Sequence, residues 1–264
     1  MAKELIQLIR PGIVRLAFFN NHRDQVGSAT GFLSNNFLVT CSHVIRKEPF
    51  DSVELTFGDQ NLRTITPIRF CADTLIDNIE KESLEYEYDY AIIRFNEPER
   101  KGRYQLEFTT PPKELVGEQV LIFGFPFGTE HLTAHIGYIS SDFSRRSAHV
   151  FPTDGSINPG NSGGPLVHIA SGSVIGIVTR SETGLDKDFD QLTESIRGNV
   201  KALDSRQGGS RVIIGGFDPI QSLHVTMNIF AKVVFNMKRG ANVGIGFCVS
   251  SEHIIQTGLI KEMP

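Results

Sequence analysis

Short apolar runs separated by turn residues dominate the first two thirds of this 264-residue sequence. From Ile13 to about Gly176 the runs are rich in Phe and β-branched residues, and Gly, Asn, Pro or Asp interrupts them roughly every eight to twelve residues. This spacing is typical of an all-β barrel or sandwich. Because about eleven short strands suit two small barrels better than one, we predict an all-β chain built from two barrels.

The seam between the two barrels is predicted at residues 109–118, TTPPKELVGE. Two adjacent prolines in this segment, Pro111 and Pro112, cannot donate hydrogen bonds to a sheet. The first barrel is therefore assigned to residues 1–112 and the second to residues 113–264.

Helical periodicity replaces the strand pattern after Thr179. Apolar residues recur there at steps of three and four, as one face of an amphipathic helix requires: Leu185, Phe189, Leu192, Ile196, Val200 and Leu203. A second helix is predicted from Pro219 onwards, apolar around much of its circumference, so that it is either buried or covers a partner. The segment NVGIGFCVS again has the pattern of a β-strand, and a short closing helix is predicted near residues 251–258. Residues 181–240 are therefore predicted to form a helical insertion.

Charge and composition argue against several classes of partner and ligand. The 26 Lys and Arg residues against 30 Asp and Glu give a net charge of −4. Since no block of like charges forms a basic arm, neither a nucleic-acid nor a membrane partner is expected. No His or Cys pair shows the spacing of metal ligands, so we expect no metal and no cofactor.

The first residues and the cysteines indicate where the protein acts. The N-terminal segment MAKELIQLIRPG lacks the apolar core and the cleavage site of a signal peptide. The three cysteines, Cys41, Cys71 and Cys248, are too few and too widely spaced for a disulfide framework. Both features favour a reducing compartment, and we expect a cytoplasmic protein.

A serine between glycines, in the segment INPGNSGGPL at residues 157–166, is the most informative motif. A tight turn there aims the Ser162 hydroxyl outward and lets the amides of Gly160 and Ser162 converge, as an oxyanion hole requires. An ordinary glycine-rich turn is the alternative. The letters also match GxSxG of the α/β-hydrolases, which requires a helix directly after the serine. Because Pro165 and the β-branched residues that follow predict a strand, that fold is disfavoured.

His43 and Asp89 are the predicted partners of this serine. His43 ends the apolar strand of FLVTCSHVI, and Asp89 directly precedes the strand YAIIRF. A buried carboxylate there would hold the imidazole in its productive tautomer, with Asp73 and Asp77 as alternatives for this role. Chymotrypsin-like enzymes use this order of histidine, acid and serine. With the seam at residues 109–118, His43 and Asp89 belong to the first predicted barrel and Ser162 to the second.

Taken in order, these motifs resemble the trypsin-like serine proteases and, within them, the HtrA (Deg) branch. The resemblance covers roughly residues 12–180 and 241–256, and is carried by ATGFLSNNFLVTCSHVI, DYAIIRF, FGFPFGTEHLTAHIGYIS, TDGSINPGNSGGPL, VIGIVT and NVGIGFCVS. It implies a chymotrypsin-like double β-barrel with the helical insertion in its C-terminal half. The chain departs from the branch in showing no peptide-binding PDZ domain, and in carrying the insertion where the family has a short loop.

The resemblance also implies the roles of individual residues. His43, Asp89 and Ser162 would form the catalytic triad, and the Gly160 and Ser162 amides the oxyanion hole. The primary substrate pocket would be framed by Ser156, Ile157, Thr179, Arg180, Gly244 and Ile245. Because no acidic residue stands at its base, a buried Lys or Arg side chain would lack a counter-charge, and small or medium apolar residues are expected before the scissile bond.

Two functions are compatible with this sequence. The first is a serine endopeptidase that hydrolyses protein or peptide substrates through an acyl-enzyme intermediate. The second is a protease-fold sensor or binding module, regulated through the helical insertion, whose triad is never assembled. An intact triad beside oxyanion glycines favours the enzyme. A regulatory protein partner that docks on the insertion is a further hypothesis.

Overall fold

The computed structural model describes residues 2–46, 49–59, 67–95, 101–145, 147–181, 186–205, 218–240 and 245–262. Among these residues the strands form two antiparallel sheets of seven strands each. The helices are α1 Ala2–Ile9, α2 His43–Arg46, α3 Ala72–Asp77, α4 Asp186–Asp204, α5 Pro219–Gly240 and α6 Glu252–Gln256.

The first sheet contains every strand on the N-terminal side of the predicted seam. Its strands are β1 Ile13–Phe19, β2 Gln25–Ser34, β3 Phe37–Thr40, β4 Ser52–Phe57, β5 Ile68–Cys71, β6 Ile79–Ser83 and β7 Tyr90–Arg94. They lie in the order β5-β4-β1-β2-β3-β7-β6. Six of the seven residues of β1 are buried, which is why this run is almost continuously apolar.

The second sheet contains the strands that follow the seam. They are β8 Gln119–Gly124, β9 Thr133–Tyr138, β10 Phe143–Arg145, β11 Ala148–Thr153, β12 Pro165–His168, β13 Val174–Ser181 and β14 Gly246–Ser250. Their order is β10-β11-β14-β13-β12-β8-β9. Strand β14 pairs with β13 and β11, so the chain returns to this sheet after the helical segment.

One apolar cluster is shared by the two sheets. It combines Phe32 and Val39 of the first sheet with Phe123 and Val167 of the second, all fully buried. In this cluster, apolar side chains of both sheets are removed from water. Such burial of apolar surface is the main favourable contribution to folding. The cluster therefore fixes the two sheets against each other behind the cleft.

The predicted all-β architecture with a helical insertion is confirmed, with differences of detail. The sequence pattern missed β6 and β10, because their segments, IEKES and FSR, are polar and partly exposed. His43 does not end a strand: β3 stops at Thr40, and His43 opens α2. The change from the first sheet to the second falls at the predicted boundary between residues 1–112 and 113–264. That these two parts are separate domains stays a prediction.

Residues 182–243 form a compact unit of their own, distinct from the rest of the chain. In this unit α4 and α5 contact each other, and Ile196 and Val234 are buried. Leu185, the first residue of the predicted stripe, lies outside the described residues, and Leu192 is exposed. The large apolar residues of α5 that are exposed include Leu223, Val225, Ile229, Phe230, Val233 and Met237.

No helix in the described part of the chain combines the length and the apolar character needed to cross a membrane.

Replacing Phe123 with Ala tests the shared apolar cluster. We expect the free energy of unfolding to fall by about 3–5 kcal/mol, because the close-packed neighbours cannot fill the space that the ring leaves. Urea denaturation measures the change, and Val116→Ala is the control because Val116 is exposed. A loss at Phe123 no larger than that of the control, which should stay within about 0.5 kcal/mol, would contradict a core shared by both sheets.

Candidate active site

His43, which is partly buried, and Asp89, which is buried, form a closely hydrogen-bonded pair. The Nδ1 atom of His43 lies 2.7 Å from Oδ2 of Asp89, and the backbone N–H of His43 donates to Oδ1 of the same carboxylate at 3.0 Å. Asp89 is buried and has a left-handed backbone, with φ of 47°, a conformation that Asp tolerates better than most residues. The alternatives Asp73 and Asp77 are exposed on α3. Asp89 is therefore the acid that contacts His43.

The loop that carries Ser162 depends on two glycines with a left-handed backbone. Gly160 has φ of 102° and Gly163 has φ of 86°, values that side-chain-bearing residues rarely adopt. A Cβ atom on Gly160 would overlap the carbonyl oxygen of Phe125, and one on Gly163 would overlap that of Thr30. Both glycines are therefore required by backbone geometry, whatever the chemistry of the site.

The carbonyl groups next to Ser162 are turned away from the cleft. The carbonyl of Pro159 accepts a hydrogen bond from the N–H of Phe127 at 2.6 Å, and that of Gly160 accepts one from Oγ1 of Thr30 at 2.7 Å. Because N–H and C=O point in opposite directions across a peptide, the N–H of Gly160 faces the cleft. Within the described residues, the amides of Gly160 and Ser162 donate to no other group. They are available to stabilise an oxyanion.

Thr30, a buried residue of β2, holds this loop against the first sheet. Its N–H donates to the carbonyl of Ser162 at 2.9 Å, and its Oγ1 accepts a hydrogen bond from the N–H of Phe125 at 3.1 Å. Its own carbonyl accepts from Oγ1 of Thr40 at 2.7 Å. Sequence reasoning missed Thr30, since nothing local to it shows that it will contact a loop more than a hundred positions away.

The Ser162 hydroxyl points away from the imidazole. Its Oγ donates to the carbonyl of Thr179 at 2.9 Å, and not to His43. His43, Gly160 and Ser162 nevertheless line one open cavity of about 220 Å³. The imidazole, the serine loop and the hydroxyl therefore lie around one space.

Cys41 is a buried neighbour of the His43–Asp89 pair that sequence reasoning did not single out. Its thiol donates to the carbonyl of Val178 at 3.3 Å, and burial raises its pKa well above the usual value. The ligand atoms of Cys41, His43 and Asp89 lie within 4.8 Å of one another, a donor set that zinc accepts in other sites. In this structure the imidazole and the carboxylate are hydrogen-bonded to each other, and the thiol to a backbone carbonyl.

The residues predicted to frame the substrate pocket occupy different environments. The carbonyl of Thr179 reaches Ser162, as described above. Ile157 is buried in the core of the second sheet, beside Gly246, whereas Ser156 and Ile245 are exposed. Arg180 pairs through its backbone with Phe247, and Gly244 lies outside the described residues.

Asn161, the residue before the serine, is fully buried. Its Nδ2 donates weakly to the carbonyl of Ser156 at 3.4 Å, and its Oδ1 has no hydrogen-bond partner in the described part of the chain. The hydrogen bonds of the serine loop with Thr30 and Phe127 therefore hold its conformation.

The trypsin-like peptidases are a class of proteins in which two antiparallel sheets bring a histidine–aspartate pair close to a serine in a glycine-rich loop. The family model described as "Trypsin-like peptidase domain" matches residues 29–177. This match spans more than half of the chain, and the chain belongs to that family. The matched region contains His43, Asp89 and Ser162.

Curated relatives and solved structures agree with this assignment. "Protease Do-like 1, chloroplastic" of Arabidopsis thaliana is 33% identical over 212 residues, which cover 75% of this chain and 44% of that protein. Two solved structures share the fold at 17% identity and a TM-score of 0.58: the active form of the Rv3671c protease from M. tuberculosis, and the HtrA-type protease AlgW with a tripeptide. The alignments cover 98% and 97% of this chain, and 85% and 62% of those chains.

The chain spans less than half the length of the first curated relatives that it matches. The name of the Arabidopsis relative assigns that protein to the chloroplast. The expectation of a cytoplasmic protein therefore has no support from this relative.

Proposed function

We propose that the protein is a serine endopeptidase that cleaves protein or peptide substrates through an acyl-enzyme intermediate. The observation that carries this proposal is the 2.7 Å contact between His43 and Asp89 in the wall of the cavity that also contains Ser162. A module that only binds peptides has no use for a buried acid-base pair beside a hydroxyl and two free amides. The proposed catalytic residues are His43, Asp89 and Ser162.

The reaction begins when the serine hydroxyl turns from Thr179 towards His43. Oγ attacks the carbonyl carbon of the scissile bond while Nε2 of His43 takes its proton, and Asp89 stabilises the resulting imidazolium. The amides of Gly160 and Ser162 stabilise the negative oxygen of the tetrahedral intermediate. His43 then gives the proton to the leaving amine, and a water molecule hydrolyses the ester on Ser162 in a second step.

The turn of Ser162 has a physical driving force in the substrate. The carbonyl of Thr179 belongs to β13 and accepts a hydrogen bond from the hydroxyl of Ser162. A substrate backbone N–H that bonds to this carbonyl would compete with the hydroxyl for it. We infer that substrate binding frees Oγ for the approach to His43.

The pocket proposed for the residue before the scissile bond is framed by Ser156, Ile157, Thr179, Arg180, Gly244 and Ile245. None of these residues is acidic. A basic side chain buried there would lose its hydration without gaining a counter-charge. The proposed preference is for small or medium apolar residues at this position.

The alternative function is a sensor or binding module regulated through the helical insertion. The hydrogen bond from Ser162 to Thr179 favours it, because it holds the nucleophile away from His43. The exposed apolar residues of α5 support a protein partner for the insertion in either function. Labelling with a fluorophosphonate distinguishes the two, since only a competent serine nucleophile reacts.

Replacing Ser162 or His43 with Ala should abolish peptide hydrolysis, with a loss of about a million-fold if the triad acts as a unit. The wild-type protein should react with a fluorophosphonate at Ser162, and both variants should remain unlabelled. Circular dichroism should be unchanged, since neither side chain belongs to the apolar cores. Hydrolysis by Ser162→Ala at the wild-type rate would refute the proposal, and a folded wild type that never labels would favour the sensor.

Asp89→Asn should lower kcat by about ten-thousand-fold. Asp89 accepts two hydrogen bonds from His43, one at each carboxylate oxygen, and an amide offers only one acceptor. The amide NH₂ would then face Nδ1 or the backbone N–H, and the imidazole would lose its productive tautomer. Asp73→Asn, on exposed α3, is the matched control and should retain wild-type kcat; equal activity in both variants would exclude Asp89 as the acid.

Cleavage of an unfolded protein should occur mainly after Ala, Val, Leu or similar residues. Mass spectrometry of the products identifies the bonds that are cut, and Ser162→Ala incubated in parallel accounts for any contaminating protease. Each methylene that fits such a pocket is worth about tenfold or more in kcat/KM. Predominant cuts after Lys or Arg would contradict the proposed apolar pocket.

A further inference from the structure

Asp89, which contacts His43, stands in the chain between two tyrosines that contact a different histidine. The ring of Tyr88 stacks on the imidazole of His253, with ring centroids 3.9 Å apart and an angle of 4° between the planes. The hydroxyl of Tyr90 lies 3.0 Å from Nδ1 of the same imidazole. One side chain from the C-terminal part of the chain therefore contacts both neighbours of the acid.

The hydrogen bond between Tyr90 and His253 has a defined direction. Tyr90 is fully buried at the start of β7, and burial raises its pKa to about 12, so the phenol keeps its proton at neutral pH. Burial, and to a smaller extent the nearby charge of Lys81, holds the pKa of His253 below its usual value, which favours the neutral imidazole. The phenol therefore donates to Nδ1, and the imidazole carries its own proton on Nε2.

His253 projects from α6, an element that is itself fixed to the second sheet. Ile254, the next residue, is buried in the apolar cluster shared by the two sheets. Ser251 comes just before α6, and its backbone N–H donates to the carbonyl of Ile175 in β13 at 3.0 Å. The imidazole is therefore a firm support for the side chains that rest on it.

The backbone of Asp89 requires such support. Its φ of 47° is in the left-handed region, a conformation that persists in a residue with a side chain only where the surroundings hold it. Its N–H donates to the carbonyl of Leu84 at 3.1 Å, and the hydroxyl of Tyr88 donates to the carbonyl of Ser147 at 3.0 Å. Because the carboxylate bonds to both the imidazole and the backbone N–H of His43, a shift of either neighbouring tyrosine would disturb both bonds.

We propose that His253 is a positioning residue that holds Asp89 against His43 through Tyr88 and Tyr90. The inference rests on the proposed peptidase function and adds to it a residue of α6 that does not line the cavity beside Ser162. His253 acts through the two neighbours of the acid, so it is not itself a catalytic residue.

Replacing His253 with Ala removes both contacts at once. We expect kcat to fall by about ten- to hundredfold, because a displacement of about 1 Å at a catalytic group has an effect of this size. KM should stay near the wild-type value, since the lost interaction does not involve bound substrate. His168→Ala is the matched control, because His168 is a buried histidine that is hydrogen-bonded to Glu118 and Ser171. Wild-type kcat in His253→Ala, or an equal loss in the control, would refute the proposal.

The dependence on Asp89 separates positioning from a general loss of stability. In the Asp89→Asn background the carboxylate is absent, so His253→Ala should lower the remaining kcat by less than about twofold. Ser162→Ala measured in parallel gives the background rate to be subtracted. A loss of equal size in both backgrounds would show that His253 does not act through the acid, and would overturn the proposal.

Tyr90→Phe is a second variant that keeps the buried ring and removes only the hydroxyl that donates to His253. It tests the proposal even where His253→Ala does not fold. It should lower kcat by about three- to tenfold, the effect of one hydrogen bond, and wild-type kcat in this variant would also overturn the proposal. These outcomes leave peptide hydrolysis by the wild type in place, whereas a wild type that neither cleaves nor labels with a fluorophosphonate would overturn the peptidase function itself.

Discussion

The anchoring of the serine loop to the first sheet is the interaction on which the rest of the site depends. Thr30 donates its N–H to Ser162 and its hydroxyl to Gly160, and accepts from Phe125 and Thr40. Thr30 thereby connects three parts of the structure. These are β3, which precedes His43, the loop that carries Ser162, and Phe125 directly after β8 of the second sheet. This contact adds to the shared apolar cluster in fixing the two halves of the site against each other.

The same anchoring explains why one part of the site is preorganised and another is not. The carbonyls of Pro159 and Gly160 are held by hydrogen bonds from Phe127 and Thr30, so the backbone of the serine loop is fixed in the absence of substrate. Ser162 has a single rotatable bond to its oxygen, and that oxygen rests on the carbonyl of Thr179. A change of backbone conformation costs more free energy than the rotation of one side chain. The position of the Ser162 hydroxyl is therefore the part of the site that changes most easily.

The space around Ser162 has two sides that draw on different parts of the fold. The proposed pocket before the scissile bond draws on Thr179 of β13, and the cavity beside His43 draws on Phe18, Val26 and Gly27 of the first sheet. The helical unit of residues 182–243 leaves β13 directly after that pocket.

The sequence alone indicated most of the strand pattern and the helical segment, and it singled out His43, Asp89 and Ser162 as candidate site residues, because each of these follows from local periodicity or from a short motif. It failed at β6, whose polar residues carry no strand signal, and at His43, which opens a helix. Only the tertiary structure decided that Thr30 holds the serine loop, that the hydroxyl rests on Thr179, and that Phe18 walls a cavity beside His43. These features are contacts between residues far apart in the chain, and the energy of such contacts depends on how the two sheets pack, which no local pattern contains.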